Sequence, residues 1–172
     1  MLTKIDLCSL ALLKLGEPPI QSLNDDSAAA RLARTLFDPA IDSLTAAHPW
    51  NFAKRKFDLI KTADGDFQIP ANALRVLHCK GEIVGDKILA SGDSIRILAI
   101  VRAAAENFPA YFASLAATKL AMEFCIPLLG DQSVFRMLAA LYESELRAAK
   151  FIDSTLSATG DIAEFSLISS RF

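Results

Sequence analysis

The window YFASLAATKLAMEFCIPLL, residues 111–129, sets the first constraint on what this chain can fold into. A run so apolar is nearly long enough to cross a bilayer, but Lys119, Glu123 and Pro127 interrupt it. It reads as a core helix that other elements must enclose. The rest of the chain therefore has to supply amphipathic partners.

Helical spacing provides them. Thr3 with Asp6 makes a capping box, and Ile5, Cys8, Leu12 and Leu15 recur on one face until Gly16 stops the run, so a first helix is expected over about 4–15. The stretch EPPIQSLNDDS follows as an ordered loop, since two prolines forbid helix and Ser22 to Ser27 offer caps. From Ala28 to Ala47, Ala29, Leu32, Ala33, Leu36, Ala40, Leu44 and Ala47 share a face, with Arg31, Arg34, Asp38 and Asp42 on another. Pro39 is expected to kink or split this second helix. Two long helices close the pattern, about 108–129 and 132–152, joined by LLGDQS into an antiparallel hairpin. In the last, Val134, Met137, Leu138, Leu141 and Ala148 are expected to face inward; Gln132, Arg136, Glu143, Arg147 and Lys150 are expected to face out.

The middle third changes period. FDLIK, DFQIP, LRVLHCKGEIV, KILA and SIRILAIV are short, branched and separated by Asp-Gly, Gly-Asp and Ser-Gly, which reads as a small antiparallel sheet. Gly85 and Asp86 suit a two-residue hairpin turn with glycine first. The expected fold is thus mainly α: a four-helix bundle over 1–152, with a small antiparallel β-sheet or hairpin inserted at about 57–101 between helices two and three. Residues 153–172, DSTLSATGDIAEFSLISSRF, hold no sustained period and read as a flexible, extended tail that orders against another chain. There is no internal repeat.

Composition narrows the function. At 172 residues the chain suits one domain, 52% hydrophobic and only 22% charged, an apolar surplus that a partner could cover. A formal charge of −2 gives no global positive field for nucleic acid or an anionic membrane. The N-terminal apolar stretch carries Asp6 and lacks a small-residue cleavage site, so a cytoplasmic origin is expected. Cys8, Cys79 and Cys125 are scattered, with no metal or redox spacing, and read as buried thiols.

Catalytic signals are weak. No nucleophile elbow, zinc helix, phosphate loop or dinucleotide fingerprint is present. His48 and His78 lack ligand spacing, Asp25 and Asp26 precede a helix as capping residues do, and Cys125 lacks cationic neighbours. In HPWNFAKRK, residues 48–56, His48 before Pro49 should end helix two, with Trp50 and Phe52 turning in as a corner anchor. Lys54, Arg55 and Lys56 read as solvated charges leading into a strand.

These residues also carry a likeness. Leu15-Gly16-Glu17-Pro18-Pro19-Ile20, then Ser27 with Ala30-Arg31, then His48-Pro49-Trp50-Asn51-Phe52-Ala53 occur in order; FQIPANALRVL and FPAYFASLAATKLAMEF follow. The set resembles the phage head-to-tail connector family related to tail tubular protein A, which includes adaptors of prophages and gene transfer agents. The likeness spans about residues 10–150, with specific motifs in the first third.

The resemblance implies a structural part without enzymatic activity, cofactor or metal. It would be a ring of copies, dodecameric when assembled, seated under a portal protein at the head-tail junction of a virion or virion-like particle built in the bacterial cytoplasm. The ring would extend the channel through which DNA passes and meet a downstream tail or stopper protein, with no membrane partner. Gly16, Pro18, Pro19, Pro49, Trp50 and Phe52 would be structural anchors, and the tail would dock on the portal through Phe165, Ile168, Arg171 and Phe172. Deleting 153–172 is then expected to leave a folded helical protein that no longer binds portal. Two other readings stay open: a small helical scaffold that dimerises through its apolar surplus, and a hydrolase acting through carboxylates such as Asp25, Asp26 and Glu17.

Overall fold

A computed structural model describes residues 2–161, with side chains to residue 156. The first helix, α1 (Lys4–Lys14), starts as its capping box requires: Thr3 Oγ1 accepts the Asp6 N–H at 3.2 Å and the Asp6 carboxylate accepts the Thr3 N–H at 2.8 Å. It stops at Gly16, whose φ of +78° only glycine adopts cheaply. Gly16 N–H bonds Leu13 O and Glu17 N–H bonds Leu12 O, the paired bonds of a Schellman stop. Ile20 then folds back into the core, its carbonyl accepting the Ser9 hydroxyl at 3.1 Å, while Pro18 and Pro19 stay exposed.

Ser27 caps α2 (Ala28–Ala47), accepting the Ala30 N–H at 3.1 Å. The helix is continuous through Pro39, so of the expected kink or split, the split does not occur. It ends where His48 turns extended ahead of Pro49.

Between α2 and the third helix the chain forms six strands: β1 (Lys54–Ile60), β2 (Phe67–Gln68), β3 (Ala73–His78), β4 (Glu82–Val84), β5 (Lys87–Leu89) and β6 (Ser94–Val101). They assemble into two three-stranded antiparallel sheets, ordered β1-β6-β3 and β2-β5-β4. This corrects the expectation of a mainly α four-helix bundle with a hairpin inserted: the described fold is mixed α/β, with four helices and two sheets. The physical reason is that β1 and β6 pair along seven positions, from Lys54↔Ile100 to Ile60↔Ser94. That pairing folds the insertion onto a core of its own, in which Phe67, Ile88, Ile95, Ile97 and Ala99 are buried. Strand pairing begins at Lys54, three residues ahead of position 57. The β4–β5 turn has Gly85 at φ +62°, no described non-glycine residue has positive φ, and Val84 pairs with Lys87; the turn therefore has the glycine-first form.

The last two helices are α3 (Ala110–Leu129) and α4 (Gln132–Asp161). α3 packs against α1, α2 and α4, burying Phe112, Leu115, Leu120 and Phe124 against Leu7, Leu12, Ala33, Leu44 and Leu138. By length and composition it could cross a membrane, but here its side chains fill the middle of the helical layer. Gly130 at φ +64° ends it, and the Asp131 carboxylate restarts the chain by accepting the Ser133 N–H at 2.7 Å.

α4 departs from expectation in two ways. It runs nine residues beyond position 152, and the face it buries is rotated. Leu138, Ala149 and Asp153 are buried, with Phe135, Tyr142 and Leu146 packed beside them, whereas Met137, Leu141 and Ala148, expected inside, are exposed. Lys150, expected outside, is half-buried. α4 carries apolar residues on two faces, and only packing on α3 selects between them.

Candidate functional site

The HPWN corner is built around Trp50. Its side chain is fully buried, its Nε1–H donates to Leu44 O at 3.1 Å, and its ring meets Phe112 edge-on at 5.1 Å between centroids. Phe52 meets the same Phe112 ring at 4.7 Å and Phe108 at 5.8 Å. His48 is extended ahead of Pro49, and the Trp50 N–H bonds His48 O at 2.8 Å across Pro49, so one aromatic cluster joins the end of α2 to the start of α3.

A carboxylate from far along the chain closes the corner. Asp153, 2% exposed on α4, accepts the Asn51 N–H at 3.1 and 3.2 Å and the Tyr111 hydroxyl at 2.7 Å. The Asn51 side-chain amide donates back to the Asp153 carbonyl at 2.6 Å, and His48 Nε2 lies 3.8 Å from the same carboxylate. Burial holds the His48 imidazole below its ordinary 6.5; Asp153 pulls it up, while Lys150, Lys54 and Arg75 push it down. Burial, then the Asp153 bond, raises the Tyr111 phenol. This is a clamp of satisfied groups. Sequence reasoning missed Asp153; its only signal was an acid on the helical phase of Leu138, Tyr142, Leu146 and Ala149.

The basic run after the corner is partly spent on neighbouring groups. Lys54 Nζ donates to Asn51 Oδ1 at 2.8 Å and Arg55 Nη1 to Phe52 O at 3.1 Å and Lys54 O at 2.7 Å.

The residues weighed for catalysis do local work. Asp25 accepts the N–H groups of Gln21 and Ser22 at 3.2 and 3.0 Å, and Asp26 pairs with Arg31 at 2.8 Å. Burial pushes the Cys8 thiol up to about 12 and also raises Cys125; neither environment favours a thiolate. Among the described residues no group of three or more His, Cys, Asp or Glu is placed to hold a metal.

Among the described residues, α4 also exposes a stripe of large apolar side chains. Met137, Leu141, Phe151, Ile152 and Leu156 are between 42% and 70% exposed. At 1.5 Å per residue they extend over roughly 29 Å. Large apolar side chains gathered on one helix face, rather than scattered, mark a candidate interaction surface. Arg136 and Arg147 flank the stripe. The stripe leads toward residues 162–172, so the tail positions Phe165, Ile168, Arg171 and Phe172 lie outside the described residues.

Compared with models of protein families and with curated proteins, the chain matches none.

Proposed function

We propose that this protein is a structural head-to-tail connector of a phage, prophage or gene transfer agent. Copies would form a ring below the portal, extend the DNA channel and offer a platform to the next tail component. The observation that carries the reading is the exposed apolar stripe of α4, which leads toward the C-terminal segment. A ring repeats one pair of surfaces at every subunit contact, so each copy needs apolar area that would be a liability in a monomer. The motifs Leu15-Gly16-Glu17-Pro18-Pro19-Ile20 and His48-Pro49-Trp50-Asn51-Phe52-Ala53 support the same assignment through their likeness to connectors.

The clamp at Asp153 changes how the tail is tested. Removing 153–172 would delete a buried carboxylate that holds Asn51 and Tyr111, so loss of binding could reflect a damaged fold. Removing 162–172 spares the clamp and still takes away Phe165, Ile168, Arg171 and Phe172. The shorter deletion should keep the melting profile and lose portal capture in a pull-down; full capture would refute tail docking.

A further inference from the structure

A cleft of about 490 Å³ opens beside the β3 and β6 strands of the first sheet, lined by His78, Lys80, Ser91, Ser94, Ile95 and Arg96. We infer that this cleft is a binding site for a phosphate group. Its wall contains a lysine, an arginine, an imidazole and two hydroxyls, and no carboxylate. Lys80 supplies a point charge with three donors, Arg96 supplies a planar fork, and each serine supplies an O–H donor. That is a donor set for a small oxyanion.

Most of these groups are uncommitted. The side chains of His78, Lys80, Ser91 and Ser94 make no hydrogen bond or ion pair among the described residues. Arg96 is held by Asp58, which accepts from Nε at 2.7 Å and from Nη2 at 3.2 Å; Nη1 remains available. The bond to Asp58 fixes the guanidinium plane at the cost of part of its charge, so phosphate binding here is weak and depends on Lys80.

The backbone presets the cleft. At Gly81 an added Cβ would lie 2.6 Å from Leu89 O and 2.8 Å from Ile88 Cγ2, so the β3–β4 connection is pressed onto β5 and the backbone next to Lys80 has little freedom. Ser91 and Ser94 bracket Gly92, whose φ of +95° shapes the β5–β6 turn on the other side.

The same chemistry has two sources, a free phosphate ion or the backbone of a DNA duplex. The site stands on the cleft alone; only the DNA source rests on the connector reading. The test is a two-dimensional amide NMR titration of the full chain with inorganic phosphate, with sodium chloride at matched ionic strength as the reference. Saturable shifts are expected at residues 78–80 and 91–96, and K80Q and S94A should each weaken them, K80Q by about tenfold. Arg136→Gln, on a different element, should bind as the parent does. Circular dichroism confirms that each variant folds, and S94A keeps the test open should K80Q not. A short duplex that moves the same amides and displaces phosphate, more weakly at high salt, identifies DNA as the source. Shifts with phosphate but not duplex identify a free anion, and either result supports the site. Shifts equal to those in chloride, or K80Q binding phosphate as well as the parent, would overturn it.

Discussion

Asp153 and Asn51, 102 positions apart, bond each other in both directions: the Asn51 N–H donates to the Asp153 carboxylate at 3.1 Å, and the Asn51 amide donates to the Asp153 carbonyl at 2.6 Å. Through this pair the last helix is fastened to the turn that follows α2. Asp153→Ala removes the carboxylate that accepts the half-buried Asn51 N–H and Tyr111 hydroxyl, and should lower unfolding stability by about 3 kcal/mol in a denaturant titration. Asp153→Asn keeps a carbonyl acceptor and should cost less. Equal stability of all three proteins would show that the clamp contributes nothing.

Trp50 should be the most sensitive aromatic. Trp50→Ala opens a cavity beside Phe112 and Leu44 and is expected to cost about 3–5 kcal/mol. Trp50→Phe loses mainly the bond to Leu44 O and part of the ring area, so its loss should be smaller. Thermal unfolding of the two variants measures the order.

The helix punctuation and the hairpin turn were legible because they are local. Thr3 with Asp6, Ser27, Gly16, and Gly85 with Asp86 act within a few residues of themselves, so type and spacing suffice. The two sheets were not legible as such, because β1 pairs with β6, some forty residues away, and nothing in either strand names its partner. The rotated face of α4 was missed for a related reason: Met137 and Leu138 are both apolar, and only the position of α3 decides which is buried. Asp153 was hidden by its type, since a carboxylate in a Ser- and Thr-rich stretch reads as solvated until Tyr111 and Asn51 are found around it.

That rotation separates stability from assembly. Leu138→Glu places a charge in the core and should unfold the protein. Phe151→Glu and Met137→Glu, on the exposed stripe, should change stability by no more than about 0.5 kcal/mol. On the connector reading both nonetheless abolish ring formation on the portal. Circular dichroism paired with sedimentation of portal mixtures distinguishes the two classes.

Acid should act in two separate windows. The folded state lowers His48 below 6.5, so the unfolded chain binds a proton first and stability falls as pH drops through about 6.5 toward the folded value. His48→Gln should flatten this part of the stability profile. The carboxylates of Asp6, Asp58, Asp66 and Asp131 are held below 3.8 by their hydrogen bonds; the stability they contribute is present above that value and is lost only as pH falls further. Urea midpoints measured from pH 8 to pH 3 resolve both, and a flat profile between 7 and 5 would contradict the first.

Thiol reactivity should single out one cysteine. Cys8 and Cys125 are buried as expected, but Cys79, just past the end of β3, is partly exposed, which corrects the reading of all three as buried. A colorimetric thiol reagent should label one group promptly under native conditions and all three in denaturant, with Cys79→Ser removing the fast one.

The central claim is most directly tested by mixing the purified full-length protein with its portal and imaging the product by electron microscopy. The connector reading predicts a ring of copies seated coaxially under the portal, absent when Phe151→Glu replaces the parent. Portals left bare at saturating protein, or a discrete dimer indifferent to the portal, would contradict it.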